Sequence, residues 1–208
     1  MSAFFIAIEG ATGVGKTTLA ARLATELDAV AVFDPFDDNP FLPGLLAADR
    51  RPDPASALRV ELTFLALRLA QLRGIGELLV SGQHVVADWA LIKQPIFAAT
   101  TLDPDDAARV AATLDVWSPS VPQPDLLIGL SAATSVIRQR VCQRGREMEA
   151  GLTRAHIDHL LAAFEAAYAV WERPLIRVDA NTFNTFHDNH VHELVEQLRQ
   201  LPLPLEIR

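Results

Sequence analysis

The run Gly10-Ala11-Thr12-Gly13-Val14-Gly15-Lys16-Thr17, followed by Thr18, fits G-x-x-x-x-G-K-[ST], a spacing suited to holding phosphate. Its glycines let the backbone curl around an anion with N–H groups pointing inward, and a helix starting at its end adds partial positive charge. Lys16 is then expected at the β- and γ-phosphates of a nucleotide, and the Thr17 hydroxyl on Mg²⁺. Further along, Asp34 and Asp88 close apolar runs, and a basic stretch carries Arg138, Arg140, Arg144 and Arg146. An acid at the carboxyl end of a buried parallel strand stands where ligands of open α/β sheets bind.

These residues need elements to position them. The apolar run over residues 4–8 reads as a buried strand, and residues 18–27, with Leu19, Leu23 and Leu27 four apart, read as the helix after it. Residues 30–33 form a second strand ending at Asp34, and the breaker-rich residues 37–44 read as loop. A long helix is predicted from about Pro54, with Leu58, Leu62, Leu65, Leu69 and Leu72 as its core stripe and Glu61, Phe64 and Arg68 on an adjoining face. A third strand over residues 84–89 reaches Asp88, and Asp103-Pro104-Asp105-Asp106 opens another helix with Asp as its cap. A fourth strand over residues 125–130 precedes the basic stretch. A periodic helix spans 153–171, a fifth strand 175–178 and a last helix about 190–201. The alternation predicts one α/β domain over residues 1–201, a five-stranded parallel sheet with helices on both faces, and a tail over 202–208.

Composition narrows the function. The formal net charge of −8 argues against a nucleic-acid partner, while a small anionic cofactor held by a local loop remains compatible with it. No run approaches a membrane span, and the chain enters a core strand directly, so a soluble cytoplasmic protein is expected. Cys142 is the sole cysteine and reads as a half-buried helix residue. Surface helix positions account for His156, His159, His187, His190 and His192 better than a metal site does.

With these landmarks, the chain resembles the deoxynucleoside kinase family, in particular its bacterial deoxyguanosine and deoxyadenosine kinases. The resemblance rests on the P-loop, on Asp34-Pro35-Phe36 with Asn39-Pro40-Phe41-Leu42, on the helix segment from Glu61 to Arg68, and on the lid-like Arg140, Arg144-Gly145-Arg146 and Glu149. Val178-Asp179-Ala180-Asn181 resembles the end of the family's last strand, whose following loop surrounds the adenine of ATP. The resemblance implies transfer of the ATP γ-phosphoryl group to a deoxynucleoside 5′-hydroxyl. It makes Asp34 the base, Asp88 the acid beside Mg²⁺, and Arg140, Arg144 and Arg146 an arginine-rich lid on the phosphates. Glu149 would bind the sugar 3′-hydroxyl. Arg68, Glu61 and Gln94 would read the base edge, with Phe97 stacked on the ring. The family usually forms homodimers, and a heterodimer with a related kinase is the other arrangement considered.

The chain departs from the family pattern in three places. Asp88-Trp89-Ala90 stands where the family has Asp-Arg-Ser, so an arginine that contacts the 5′-oxygen and phosphates is missing, with Lys93 or a lid arginine as its candidate replacement. Glu61 and Gln94 exchange an amide and a carboxylate, and Asp34 replaces a glutamate. Two other readings share the P-loop. One is a catalytically impaired nucleotide-binding subunit of a partner kinase, favoured by Trp89. The other is a nucleoside monophosphate kinase, which leaves Asn39-Pro40 and Glu149 unaccounted for.

Overall fold

A computed structural model describes residues 3–46, 53–145 and 152–201. Five parallel strands, β1 (Phe5–Glu9), β2 (Val30–Val32), β3 (Val85–Ala87), β4 (Leu126–Ser131) and β5 (Leu175–Asp179), form one sheet in the order β2-β3-β1-β4-β5. Ile6 pairs with Val86 on one side and with Leu126 on the other, so β1 is central. Every residue of β1 and β3 is buried, which requires cover on both faces and explains why these strands read as continuous apolar runs. The chain fills β2 and β3 on one side of β1 and then crosses to β4 and β5 on the other. That reversal opens a crevice at the carboxyl ends of the central strands.

Helix α1 (Lys16–Glu26) buries Leu19, Ala20, Leu23 and Ala24, and packs against α8 (Asp188–Arg199), whose Val191, Leu194, Val195 and Leu198 form its inward face. Asp53 caps α3 (Pro54–Val80) by accepting from the Ser56 N–H at 3.0 Å. Asp103 caps α5 (Pro104–Trp117) by accepting from the Asp105 and Asp106 N–H groups, as its sequence predicts. Helix α6 (Thr134–Arg144) stops at Gly145, which takes a left-handed φ of 64°, and α7 (Arg154–Ala169) starts on a Thr153 cap. Among the described residues, no helix is long and apolar enough to cross a membrane.

Several expectations need correction. The leucine stripe of α3 is only in part its buried face: Leu65 and Leu72 are buried as expected and Leu69 packs partly buried against the core, but Leu62 is 45% exposed. Ala57, Val60, Glu61, Phe64, Arg68 and Ile75 complete the buried face. The helix turns Glu61 and Arg68 inward because that pair belongs to an internal hydrogen-bonded network, and Leu62 is left outward. Two helices were not expected. Residues 37–44 contain the start of α2 (Leu42–Leu46), despite Pro43 and Gly44, and α4 (Lys93–Thr101) follows β3 with Pro95 in its first turn. Proline is tolerated there because first-turn N–H groups have no helical partner. Cys142 is exposed rather than half-buried, since α6 presents it away from the core.

Candidate active site

The loop between β1 and α1 forms a cradle. Gly10, Gly13 and Gly15 all take positive φ, at 147°, 83° and 113°. A Cβ on Gly10 would lie 2.4 Å from the Leu130 carbonyl oxygen, so neither the conformation nor the space admits a side chain there. The Lys16 ammonium donates to the carbonyls of Gly10 and Ala11 at 2.8 and 3.1 Å. The Thr17 hydroxyl donates to Asp88 Oδ2 at 2.5 Å. Asp88 Oδ1 accepts the backbone N–H of Asp34 at 2.7 Å, so one carboxylate connects the phosphate loop to the end of β2. Thr17 and Asp88 together present hard oxygen ligands beside the cradle, a set that suits Mg²⁺ completed by phosphate oxygens and water.

Glu9 is a site residue that the motif reading passes over. It is fully buried, and its carboxylate accepts from the N–H of Gly10 at 3.2 Å and of Ala90 at 2.7 Å. It therefore fixes the start of the phosphate loop relative to the segment after β3. Burial pushes its pKa up, against the pull of Lys93 and Lys16. The signal was present in the sequence, because a charged residue closes an otherwise apolar strand immediately before the loop. Glu9→Gln sets an amide N–H against one of two backbone donors, and should lower stability by about 1–3 kcal/mol. Urea unfolding of the two proteins measures this, and equal midpoints would remove Glu9 from the role.

Burial, followed by the neighbouring Lys93, lowers the Lys16 pKa to about 8. The cation is then lost in the empty protein as pH rises through that value, whereas bound polyphosphate favours the charged form. The expected result is that kcat/KM for ATP declines above about pH 8 while kcat at saturating ATP does not. Parallel decline of both parameters would assign the titration elsewhere.

The second half of the site lies across Asp88. Asp34 Oδ1 accepts from Arg68 Nε at 2.9 Å, and Oδ2 accepts from Arg68 Nη2 at 3.2 Å and from Lys93 Nζ at 2.8 Å. Burial opposes the charged form of Asp34, but Lys93 and Arg68 outweigh it and hold the carboxyl well below the usual carboxylate range. Arg68 Nη1 donates to Gln94 Oε1 at 2.5 Å, and Gln94 Nε2 donates to Glu61 Oε2 at 2.9 Å. The half-buried Asp34 and the buried Arg68, Gln94 and Glu61 are thus joined by hydrogen bonds that run from α3 to α4. The Arg68 guanidinium lies 4.5 Å from the Phe64 ring centroid, and the Lys93 ammonium 5.4 Å from that of Phe97. Asn39 secures the loop after β2 by donating to the Val60 carbonyl and accepting the Phe41 N–H.

The structure brings together Lys16, Thr17, Asp34, Asp88, Glu61, Arg68, Gln94 and Phe97. Arg140 lies beside the phosphate loop. Its guanidinium donates to the carbonyls of Val14 and Ala180, at 3.0 and 2.8 Å, tying the phosphate loop to the loop after β5. Arg146, Glu149 and the side chain of Arg144 lie outside the described residues, as does the tail over 202–208. Trp89 is fully buried and packed in the core cluster.

A sequence profile described as deoxynucleoside kinase matches residues 6–201. The chain belongs to the deoxynucleoside kinase family. It is 31% identical over 166 residues to a deoxyguanosine kinase of Bacillus subtilis, covering 78% of this chain and 77% of that one. It is 27% identical over 203 residues to a deoxyadenosine/deoxycytidine kinase of the same organism, covering 93% and 90%. Among solved structures, a deoxyadenosine kinase from M. mycoides with bound dATP superimposes with a TM-score of 0.77 at 21% identity, covering 94% of this chain and 99% of that one. That likeness places the fold. Deoxynucleoside kinases are ATP-dependent phosphotransferases, and the chain is an enzyme of this kind.

Proposed function

We propose that this kinase transfers the γ-phosphoryl group of ATP to the 5′-hydroxyl of a purine deoxynucleoside. The observation that carries the reading is the double role of Asp88, which accepts from Thr17 with one oxygen and from the Asp34 backbone with the other. Asp34 is thereby set beside the phosphate loop, with Lys93 and Arg68 orienting its carboxylate. Similarity to the B. subtilis deoxyguanosine kinase and deoxyadenosine/deoxycytidine kinase supports the purine preference.

The chemistry follows from positioning and charge. The glycine loop and Lys16 hold the β- and γ-phosphates. Thr17 and Asp88 would hold Mg²⁺, which when bound neutralises charge on the phosphates. Asp34 accepts the hydrogen bond of the 5′-hydroxyl and aligns it with the γ-phosphorus. As the O5′–P bond forms and the bond to the bridging oxygen of ADP breaks, the 5′-proton passes to Asp34. Proton transfer to the carboxylate accompanies bonding to phosphorus, which makes the hydroxyl acidic and suits a loose transition state. Arg144 and Arg146 would close on the phosphates, and Glu149 on the 3′-hydroxyl. Exposed apolar residues on α3 and α5, including Leu62 and Val116, support a homodimer.

The test is transfer from ATP with Mg²⁺ to each of the four common deoxynucleosides by the purified chain. Turnover concentrated on deoxyguanosine or deoxyadenosine is expected. ATP binding without turnover on any of them would overturn the reading in favour of a nucleotide-binding partner subunit.

A further inference from the structure

Where the family pattern places an arginine, this chain has Trp89, which is fully buried and packed in the core cluster. The indole cannot supply charge to the site. Four residues on, Lys93 opens α4 with its side chain only 7% exposed and its ammonium 2.8 Å from Asp34 Oδ2. A buried ammonium is costly unless it is paired, so the fold holds this cation there for a reason that packing does not supply. Its surroundings show what it can reach. The carboxylate that would receive the acceptor hydroxyl accepts from it, and the backbone N–H of the same Asp34 donates to Asp88, which accepts from Thr17 beside the phosphate loop. A phosphoryl group passing from the loop cradle to an acceptor at Asp34 would arrive beside this ammonium.

We propose that Lys93 is a phosphate-contacting catalytic residue of this kinase, its ammonium donating both to Asp34 and to the transferred phosphoryl group as it arrives on the acceptor oxygen. The assignment rests on the phosphoryl-transfer reading above. In the ground state Lys93 neutralises and orients Asp34. During transfer, as the proton leaves O5′ for Asp34 and the carboxyl becomes neutral, the ammonium turns its charge to the oxygens of the new monophosphate, while ADP retains the charge of the broken bond. Lysine suits this exchange because its ammonium is a point charge on a flexible stem, able to serve two partners in turn.

The assignment separates phosphate binding from nucleoside binding. Calorimetric titration of the full chain with each deoxynucleoside, and with its 5′-monophosphate, is compared for wild type, Lys93→Met and Lys93→Gln. Both neutral variants should bind the nucleoside within about threefold of wild type and the monophosphate about tenfold or more weakly, with kcat lowered about a hundredfold. Lys93→Arg should recover most of the monophosphate affinity. In the neutral variants the acid limb of the pH profile should move to higher pH, because Asp34 loses a cation that holds its carboxyl acidic.

Equal weakening of nucleoside and monophosphate, or kcat within about threefold of wild type, would overturn the assignment. If wild type transfers no phosphate but the binding difference appears, the kinase reading fails and the phosphate contact stands. If wild type turns over and the difference is absent, Lys93 alone is withdrawn. Binding of neither compound to wild type overturns both.

Discussion

Asp34→Asn should lower kcat by about a thousandfold while leaving ATP affinity nearly unchanged. The amide keeps the shape of the carboxylate and still reaches the acceptor hydroxyl, but it cannot take the proton. ATP binding is spared because Lys16, Thr17 and the glycine loop stand on the other side of Asp88. The substitution also acts on stability. It strips the counter-charge from two buried cations, Arg68 and Lys93, and removing one partner of a buried ion pair costs roughly 3 kcal/mol. The sign with pH follows from the direction of the shift. Asp34 is held more acidic in the folded chain than when unfolded, so its contribution is complete above the ordinary carboxylate range and fades as pH falls below it. The difference in melting temperature between wild type and variant should therefore be largest near neutrality and shrink in acid. Steady-state kinetics, nucleotide titration and melting curves on the same protein separate the two effects. Unchanged turnover would remove Asp34 from the role of base.

Exchanging the polar pair of the base pocket, Glu61→Gln with Gln94→Asp, should change the ratio of kcat/KM values between purine substrates by about tenfold to a hundredfold. In the wild-type chain the hydrogen bonds run in one direction, from Arg68 to the Gln94 carbonyl and from the Gln94 amide to the Glu61 carboxylate. The amide is consumed within this network. What remains for a base is an acceptor-only carboxylate at Glu61 and the spare N–H groups of Arg68. The exchange gives Arg68 a carboxylate and leaves an amide, both donor and acceptor, at position 61. Burial also pushes the Glu61 carboxyl up, so as pH falls it takes a proton, and with it a donor, before an exposed glutamate would. The wild-type preference should drift as pH falls, whereas the exchanged pair should drift less. An unaltered base preference at neutral pH would show that the pair has only a structural duty.

The sheet, its parallel sense and the phosphate loop were legible in the sequence because each rests on local information. Buried parallel strands read as apolar runs, and the glycine spacing demands one backbone shape. The face of α3 was legible in part, with Leu65 and Leu72 inside as expected and Leu62 outside, and the departure has a physical reason. Leucines at helical spacing mark a core stripe only when no polar network competes for the inside, and here Glu61 and Arg68 prevail because they satisfy one another through Asp34 and Gln94. Those partners lie on other elements, and no single window of sequence contains them. Helix α4 was missed because its proline falls in the first turn, where it terminates nothing. Glu9 and Lys93 show the same limit from the other side. Both residues were plain to see, but their partners, Ala90 and Asp34, are 81 and 59 positions distant.

The burial of Trp89 carries a consequence for the history open to this chain. An arginine introduced at that position alone would place a guanidinium where the indole is now fully buried, at a cost of several kcal/mol unless it found a partner there. A side chain that keeps its charge in water from that position needs the surrounding core rebuilt around it, whereas Lys93 already stands on α4 beside Asp34. For a chain with this tryptophan, changes around Lys93 are therefore the shorter route to a different charge at the site than an arginine after β3.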